Sequence, residues 1–220
     1  MDIREIRGID ELHAVEALQR EVWGVADLEV LPAIHMIAAR EVGAIIIGAF
    51  DGADLVGFVY GFPGFEGEHR VIHSDMLAVR TAYRDHGLGR TLKLAQRDAA
   101  LARGVDRITW TFDPFQVRNA YLNFVKLGVT ADRYLRDFYG TTTSPLHQFG
   151  TDRLWVTWML RGGRRVSADS RRIEIPADVA HADRTWREKT RAAFENAFAS
   201  GYVATDFVRG ESICSYVLNR

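Results

Sequence analysis

The chain has 220 residues, a formal net charge of −1 and a hydrophobic content of 47%. These values are typical of a globular protein with one large domain, or with one domain and an extension. They exclude a global basic field that would attract nucleic acid, and no apolar run reaches the ~20 residues that a membrane span needs. The charged N-terminus and the single cysteine, Cys214, favour a cytoplasmic protein without an internal disulfide.

Hydrophobic periodicity and turn signals divide the first half of the chain into helices and strands. In chain order they predict helices over Asp10–Trp23 and Pro32–Glu41, strands over Gly43–Phe50 and Leu55–Tyr60, a loop over Gly61–Gly67, a strand over Val71–Val79, a helix over Leu88–Arg103 and a strand over Arg107–Phe112. Asp10 is the predicted N-cap of the first helix, and Asp51-Gly52 is the predicted hairpin turn. The helix after the third strand is predicted to bury Leu88, Leu92, Ala95, Ala99 and Ala102.

The second half continues the mixed pattern. It predicts a helix over Asn119–Lys126 that ends at Gly128, strands over Tyr134–Tyr139, Leu154–Leu160 and Ile173–Ile175, a helix over Asp183–Ser200, and strands over Tyr202–Val208 and Ile213–Leu218. The polar segment Arg161–Arg172 is predicted to be a linker or an exposed loop. We therefore predict an α/β (α+β) fold, with a mixed central β-sheet flanked by helices.

The predicted domain organisation has one domain over residues 1–160, followed over 161–220 by the linker and a small C-terminal α/β extension. The apolar stripe of the last helix is typical of simple core burial. Two other roles stay open for the extension: it could shape a substrate pocket, or it could form the contact of a homodimer.

A glycine-bearing turn follows the third predicted strand. The run Arg84-Asp-His-Gly87-Leu-Gly89-Arg90 joins the strand that ends at Val79 to the next helix. The first N–H groups of a helix lack intrahelical partners, and glycine lets the backbone approach an anion closely. The run lacks the ending of a nucleotide phosphate loop and the first glycine of a dinucleotide fingerprint. It therefore predicts either an anion-binding turn or an ordinary tight turn.

Two motifs and the order of elements resemble the GNAT superfamily of acyl-CoA-dependent N-acyltransferases. Arg-x-x-Gly-x-Gly between a strand and a helix is similar to motif A, the loop that holds the CoA pyrophosphate. Asn119-Ala120, followed by Phe124-x-Lys126-Leu127-Gly128, is similar to motif B. The run Trp110-Thr-Phe-Asp-Pro114, which precedes this second motif, resembles a poorly characterised bacterial subgroup of GNAT proteins. The resemblance covers about residues 3 to 160 and implies the GNAT fold.

The resemblance implies a donor site for acetyl-CoA or another acyl-CoA. Backbone groups of Leu77 and Val79 would pair with the pantetheine arm as an added strand does. The implied CoA-binding residues are Leu77, Ala78, Val79, Arg84, Gly87, Leu88, Gly89, Arg90 and Asn119. Considered without the resemblance, Gly87 and Gly89 also suit a turn, and Asn119 also suits a helix N-cap.

His73 and Asp75 are the candidates for the base. They lie two residues apart on a predicted strand, so their side chains share a face. Relative to Val79, the resemblance places His73 where histone-acetylating members carry a general-base Glu. Members that act on aryl amines carry two His at these positions, and Asp75 replaces the second. We expect His73 to be the base or to relay through water, and Asp75 could orient it or raise its pKa; solvated polar residues are the alternative.

The proton donor and the acceptor pocket are less defined. Phe124 stands where many family members have Tyr, so another group protonates the thiolate or none is needed. Tyr121 and Tyr139 are the candidate acids, with simple packing as the alternative. Asp113 could hold a substrate ammonium or form the turn that ends its strand. The candidate acceptor residues are Phe62, Phe65, Trp110, Phe112 and Asp113.

These patterns predict an N-acyltransferase that moves an acetyl or related acyl group to a small-molecule primary amine by direct attack. Cys214 lies outside the matched motifs, so no acyl-enzyme is predicted. No metal site is predicted, because the chain has no Cys pair and no His-Glu-x-x-His. No nucleic-acid or membrane partner is predicted. Two alternatives remain: a succinyl-CoA-dependent amino-acid N-succinyltransferase and a CoA-binding regulatory module without catalysis.

Overall fold

The computed structural model describes residues 1–144, 147, 150–162 and 169–220. The chain forms two compact units. Unit 1 holds Met1–Thr109 with the described residues of 143–148, and unit 2 holds Trp110–Thr142 with the described residues of 149–220. The predicted linker falls in part on 163–168, which lie outside the described residues. The predicted division at residue 160 stays a prediction.

Unit 1 combines three helices with a strand meander. The helices are α1 (Ile9–Trp23), α2 (Ala33–Glu41) and α3 (Leu88–Ala102), and the strands are β1 (Asp2–Glu5), β2 (Ile45–Asp51), β3 (Asp54–Glu66), β4 (His69–Val79) and β5 (Arg107–Phe112), which continues into unit 2. The strand order is β1-β2-β3-β4-β5. The pair of β4 and β5 is parallel and the other pairs are antiparallel.

The sheet of unit 1 is covered by helices on both faces. Phe58 packs into a buried cluster with Leu12 of α1 and Met36 of α2. Successive strand residues point to opposite faces, so the neighbouring Gly57 faces the other way. A Cβ on Gly57 would lie 3.2 Å from Leu92 Cδ1, which places α3 on that second face. Among the described residues no single helix is long and apolar enough to cross a membrane, although the bent pair Ile9–Trp23 and Asp27–Glu41 passes by length and composition.

Unit 2 contains the remaining elements. The helices are α4 (Val117–Ala120), which continues directly into a π-helical segment (Tyr121–Leu127), and α5 (Arg184–Ala199); the strands are β6 (Thr130–Leu135), β7 (Arg153–Met159), β8 (Ser170–Pro176), β9 (Val203–Val208) and β10 (Ile213–Asn219). The strand order is β5-β7-β6-β9-β10-β8. Tyr216 of β10 is fully buried and packs edge-on against Phe124, Phe194 and Phe207. The C-terminal elements therefore share one core with the π-helical segment.

The predicted mixed α/β class is confirmed, with corrections at element boundaries. Strand β1 was not predicted. Gly8 occupies the N-cap of α1, and Asp10 lies within its first turn. The helix predicted over Asn119–Lys126 begins at Val117, so Asn119 is not an N-cap. The strand predicted over Tyr134–Tyr139 is β6, which starts earlier because Gly128 ends the preceding helix in a left-handed conformation.

The segment Gly61–Gly67, predicted to be a loop, is the largest correction. Gly61 to Glu66 continue β3 and pair with the first half of β4, from Glu66↔His69 to Gly61↔Ser74. The chain reverses only at Gly67, whose φ is +60°. Glycine within a strand often marks a close approach of neighbouring atoms rather than a loop. At Gly61, a Cβ would lie 2.7 Å from Gln96 Nε2 and 2.9 Å from His73 O.

Gly61→Ala is therefore expected to destabilise the protein by roughly 1–3 kcal/mol, because the new methyl group overpacks a site bounded by backbone. Gly64→Ala on the same strand is the matched control, since its Cβ would meet nothing closer than Val71 Cγ2 at 3.8 Å. Urea unfolding of both variants checks this expectation. Equal stability of the two variants would show that Gly61 tolerates a side chain.

Candidate functional site

The last residues of β4 present backbone groups at the edge opposite β3. Arg80 N donates to Val56 O at 2.8 Å, which makes these residues a hydrogen-bonded pair. Hydrogen-bonded and non-hydrogen-bonded pairs alternate in an antiparallel ladder, so Leu77 and Val79 direct their N–H and C=O groups away from β3. Strand β5 pairs with β4 upstream of this stretch, at Ile72 and His73. The Leu77 backbone and the Val79 N–H can therefore bind an extended ligand as an added strand would, while Val79 O accepts from Arg84 Nε.

The turn after β4 leads into an uncapped helix N-terminus. Asp85 and Gly87 take left-handed φ values of +67° and +80°. Gly87 is the N-cap of α3, no side chain caps the helix, and no acidic residue lies in its first turn. The N–H groups of Leu88, Gly89 and Arg90 are those that lack intrahelical partners. With the positive end of the helix dipole, they form a site suited to phosphate oxygens.

The side chains of the turn leave this site open. No atom lies within 4 Å of a Cβ built on Gly87, and the nearest atom to one on Gly89 is Leu77 Cδ2 at 3.7 Å. Leu88 is buried and anchors the start of α3, whereas Arg90 is exposed. Arg84 Nε donates to Val79 O at 2.9 Å, which ties the turn to the end of β4. The turn residues thus fit a diphosphate group beside the open strand edge.

Asp75 lies in a β-bulge. The register passes from Met76↔Tyr60 to Ser74↔Gly61, so Asp75 has no opposite residue on β3. Bulges often re-aim a side chain beside a functional site. Asp75 is exposed to solvent, yet the surrounding protein atoms raise the pKa of its carboxyl, and His35 of α2 opposes this rise. The pKa of Tyr60 is raised by its burial and by Asp75.

His73 is half-buried and held by a residue that the sequence did not indicate. Its Nδ1 lies 3.1 Å from Thr109 Oγ1, and its ring lies 5.5 Å from the Phe62 ring. Burial, followed by the charge of Lys93, lowers the pKa of His73 to about 4, while Glu66 acts in the opposite direction. The pKa is thus lowered rather than raised. His73 is neutral near pH 7 and can accept a hydrogen bond or relay a proton.

The lowered pKa of His73 makes stability depend on pH. In the unfolded chain His73 has a pKa of 6.5, so as pH falls it takes up a proton there before it does so in the folded chain. The stability that depends on a neutral His73 is therefore fully present above pH 6.5 and is lost as pH falls to about 4. The wild type is expected to lose roughly 3 kcal/mol more than His73→Gln across this window. Urea unfolding at several pH values measures the difference. Parallel pH profiles of the two proteins would contradict the lowered pKa.

The candidate residues on the helix of unit 2 differ in exposure. Asn119 is exposed on α4, as a ligand contact would require. Tyr121 is half-buried, and the Arg209 guanidinium lies 4.0 Å from its ring centre, with Lys126 Nζ at 5.3 Å. Phe124 is fully buried and packs against Phe112 at 6.3 Å. Phe124 therefore belongs to the core, and Tyr121 keeps part of its surface beside two cations.

The candidate acceptor residues are not gathered in one unit. Phe65 is exposed on β3 in unit 1. Trp110 and Phe112, in unit 2, are buried, and Trp110 packs edge-on against Trp158 at 6.4 Å. Asp113 accepts from Arg187 through both carboxylate oxygens, at 3.1 and 3.3 Å, and from Phe115 N at 3.0 Å. These contacts favour the turn for Asp113 over ammonium binding.

The sequence interpretation missed two polar residues that border His73. Thr109 is fully buried on β5, and Lys93 is buried on α3. The predicted apolar stripe included Leu92 and Ala95 but neither Lys93 nor Gln96, so it gave no signal for the buried lysine. No signal marks Thr109 either, because Thr is common in strands. Within the described ranges, no three His, Cys, Asp or Glu side chains are grouped as metal ligands.

The sequence of this chain is similar to a known protein family. The sequence model described as the acetyltransferase (GNAT) family matches residues 9–128, which is more than half of the chain. Among curated proteins, none matches the sequence.

Solved structures of acetyltransferases are similar in fold. An aminoglycoside 6'-N-acetyltransferase complexed with coenzyme A has a TM-score of 0.58 at 18% identity, over 75% of this chain and 100% of its own. The ribosomal-protein-S18-alanine N-acetyltransferase of Escherichia coli has a TM-score of 0.55 at 15% identity, over 76% and 98%. The Salmonella typhimurium protein yncA, solved with its cofactor acetyl-CoA, has a TM-score of 0.58 at 15% identity, over 77% and 99%. At these identities the likeness shows the fold.

Proposed function

We propose a function for this chain, which belongs to the acetyltransferase (GNAT) family. It transfers an acetyl or related acyl group from acyl-CoA to a small-molecule primary amine by direct attack. The observation that carries this proposal is the open edge at Leu77 and Val79, followed at once by the uncapped N-terminus of α3. An edge that can pair with an amide-bearing arm beside a phosphate site matches the chemical order of CoA. Along the chain the strand edge comes before the phosphate site, just as the pantetheine arm comes before the pyrophosphate when CoA is followed from its thioester end.

On the donor side, Leu77 and Val79 would hold the pantetheine arm through backbone hydrogen bonds. The N–H groups of Leu88, Gly89 and Arg90 would hold the pyrophosphate, and Gly87 provides the left-handed turn that aims them. The Val79 N–H faces the same edge, and we propose that it would donate to the developing oxyanion of the thioester carbonyl.

On the acceptor side, His73 would bind the reacting amine through water or directly. The amine must lose a proton before its lone pair attacks the carbonyl carbon. With a pKa of about 4, His73 cannot keep that proton near neutral pH, so it would pass it to solvent. The exposed Asp75 carboxylate is proposed to attract the substrate's ammonium form. The C–N bond then forms, the C–S bond breaks, and the CoA thiolate leaves.

The thiolate needs no residue at the position of Phe124. A thiolate with a pKa near 8.5 is a tolerable leaving group and would take its proton from solvent. A covalent acyl-enzyme on Cys214 has no support, because that thiol is 1% exposed. The proposed reaction is therefore a single displacement.

A thiol-release assay tests this function. Acetyl-CoA, and separately succinyl-CoA, is incubated with the protein and with panels of aminoglycosides, polyamines, aryl amines and amino acids, and the free CoA thiol is measured. Amine-dependent release is the expected result, and the donor that supports it names the acyl group. Binding of acyl-CoA without release for any amine would favour a regulatory module and overturn the proposed activity.

A further inference from the structure

Lys93 of α3 lies beneath β4, in a polar cluster that the proposed reaction does not use. Its side chain is only 3% exposed, and Nζ donates to Ser74 Oγ at 2.8 Å and to Gln96 Oε1 at 3.2 Å. Lysines are seldom this deeply buried, and burial lowers the pKa of Lys93 well below its ordinary value. Gln96 is fully buried as well. Such a cluster costs stability, so its position suggests a functional reason.

The cluster contacts both strands at the start of the Asp75 bulge. Ser74, the acceptor of the Lys93 hydrogen bond, is the residue just before Asp75 and is paired with Gly61 of β3. At Gly61 the Gln96 amide comes so close that a Cβ would lie 2.7 Å from Nε2. One turn of α3 therefore rests on both members of the last pair before the bulge.

The cluster also affects His73, the neighbour of Ser74 in sequence. Among the residues that the structure describes, the charged groups that act on His73 include Lys93 from α3 and Glu66 from β3, and Asp75 lies two residues away on the same strand. Thr109 of β5 is uncharged and fixes the ring through Oγ1. Because Lys93 and His73 are both cationic when protonated, a proton on one disfavours a proton on the other.

We propose that Lys93 is a positioning residue for acyl transfer: through Ser74 it holds the β4 bulge that sets Asp75 and the Leu77–Val79 edge. This inference rests on the proposed function for its link to catalysis. The contact through Ser74, and the electrostatic effect of Lys93 on His73 that accompanies it, are independent of any substrate. They can be separated by substitution.

Lys93→Met tests the charge, because methionine keeps the length of the side chain and removes the amine. NMR titration of the seven histidine imidazoles, with His73→Gln to assign the His73 signal, reports its pKa without any turnover. The pKa of His73 is expected to rise from about 4 by up to about one unit, because burial, the larger cause of its lowering, remains in the variant. Lys189→Met is the matched control on the exposed surface of α5 and should leave the titration unchanged. An unchanged His73 pKa in Lys93→Met would overturn the charge role.

Ser74→Ala tests the contact and also serves if Lys93→Met does not fold. It keeps the Lys93 amine and removes its acceptor on β4. The expected result is a loss of about tenfold or more in kcat, with backbone amide shifts changed from Asp75 to Val79 and the His73 titration retained. Unchanged amide shifts over this stretch would overturn the contact role. If no amine supports thiol release in the wild type, the proposed function fails while the titration still decides the electrostatic part.

Discussion

His73→Gln is expected to lower kcat by about 10²-fold, the lower end of the range for a lost general base, since a pKa of about 4 makes His73 a weak base. Glutamine retains a hydrogen-bonding group that can reach Thr109, so the variant should fold and bind acyl-CoA as the wild type does. In the wild type, the part of the kcat/KM profile that reports His73 should fall near pH 4, below the fall caused by protonation of the substrate amine. Thiol release measured from pH 4 to 9 provides both quantities.

His69→Gln is the control for this prediction. It makes the same substitution on the same strand, but His69 is exposed at the start of β4. It should retain wild-type turnover and the wild-type pH profile. If His73→Gln also retained full turnover at every pH, His73 would have no part in proton transfer, and Asp75 would become the only candidate on this strand.

Asp113→Ala is expected to destabilise the protein by about 3–5 kcal/mol, because it leaves the buried Arg187 guanidinium without its carboxylate. Both side chains are buried, 9% and 8% exposed, and the bidentate contact has distances of 3.1 and 3.3 Å. The Arg187 guanidinium also lies 4.5 Å from the centre of the Phe115 ring, so it has little freedom to move toward solvent. Urea unfolding gives the loss in the free energy of unfolding.

The matched control is the exposed pair of Arg184 and Glu188 on the same helix, with a separation of 2.8 Å. Glu188→Ala should change stability by no more than about 0.5 kcal/mol. The double variant Asp113→Leu with Arg187→Met should recover most of the loss, because it removes both buried charges together. A small effect of Asp113→Ala alone would indicate that Arg187 has another anionic partner and would return Asp113 to the acceptor candidates.

In unit 1, turn residues and hydrophobic periodicity predicted the helices and strands well wherever the hydrophobic pattern agreed with the packing. The Asp51-Gly52 hairpin and the strand that ends at Val79 both follow from short-range turn and alternation rules. The glycines of Gly61–Gly67 misled the interpretation, because a strand glycine and a loop glycine look alike in sequence. The distinction depends on Gln96, 35 positions away from Gly61, and such a contact leaves no local trace.

The candidate site likewise contains features that local sequence predicts and features that depend on residues distant in sequence. The turn that we propose to bind phosphate is contiguous in sequence, so Gly87 and Gly89 could be identified as candidates from spacing. Thr109 and Lys93, which act on His73, come from β5 and α3, and Arg187, which binds Asp113, comes from α5, so these contacts could not be read from neighbouring residues. The bulge at Asp75 was also invisible, since it is a property of the register between β3 and β4.

Binding of acetyl-CoA to wild type, Gly87→Ala and Gly104→Ala is the most direct test of the donor site. Both glycines have left-handed φ values, +80° and +70°, at opposite ends of α3 with open space around them, so alanine strains both similarly. At a hundredfold excess over the wild-type Kd, acetyl-CoA should stabilise wild type and Gly104→Ala by about 2.7 kcal/mol. Tenfold weaker binding in Gly87→Ala would reduce this to about 1.4 kcal/mol. Equal stabilisation of the two variants, or none in the wild type, would contradict an acyl-CoA site at this turn.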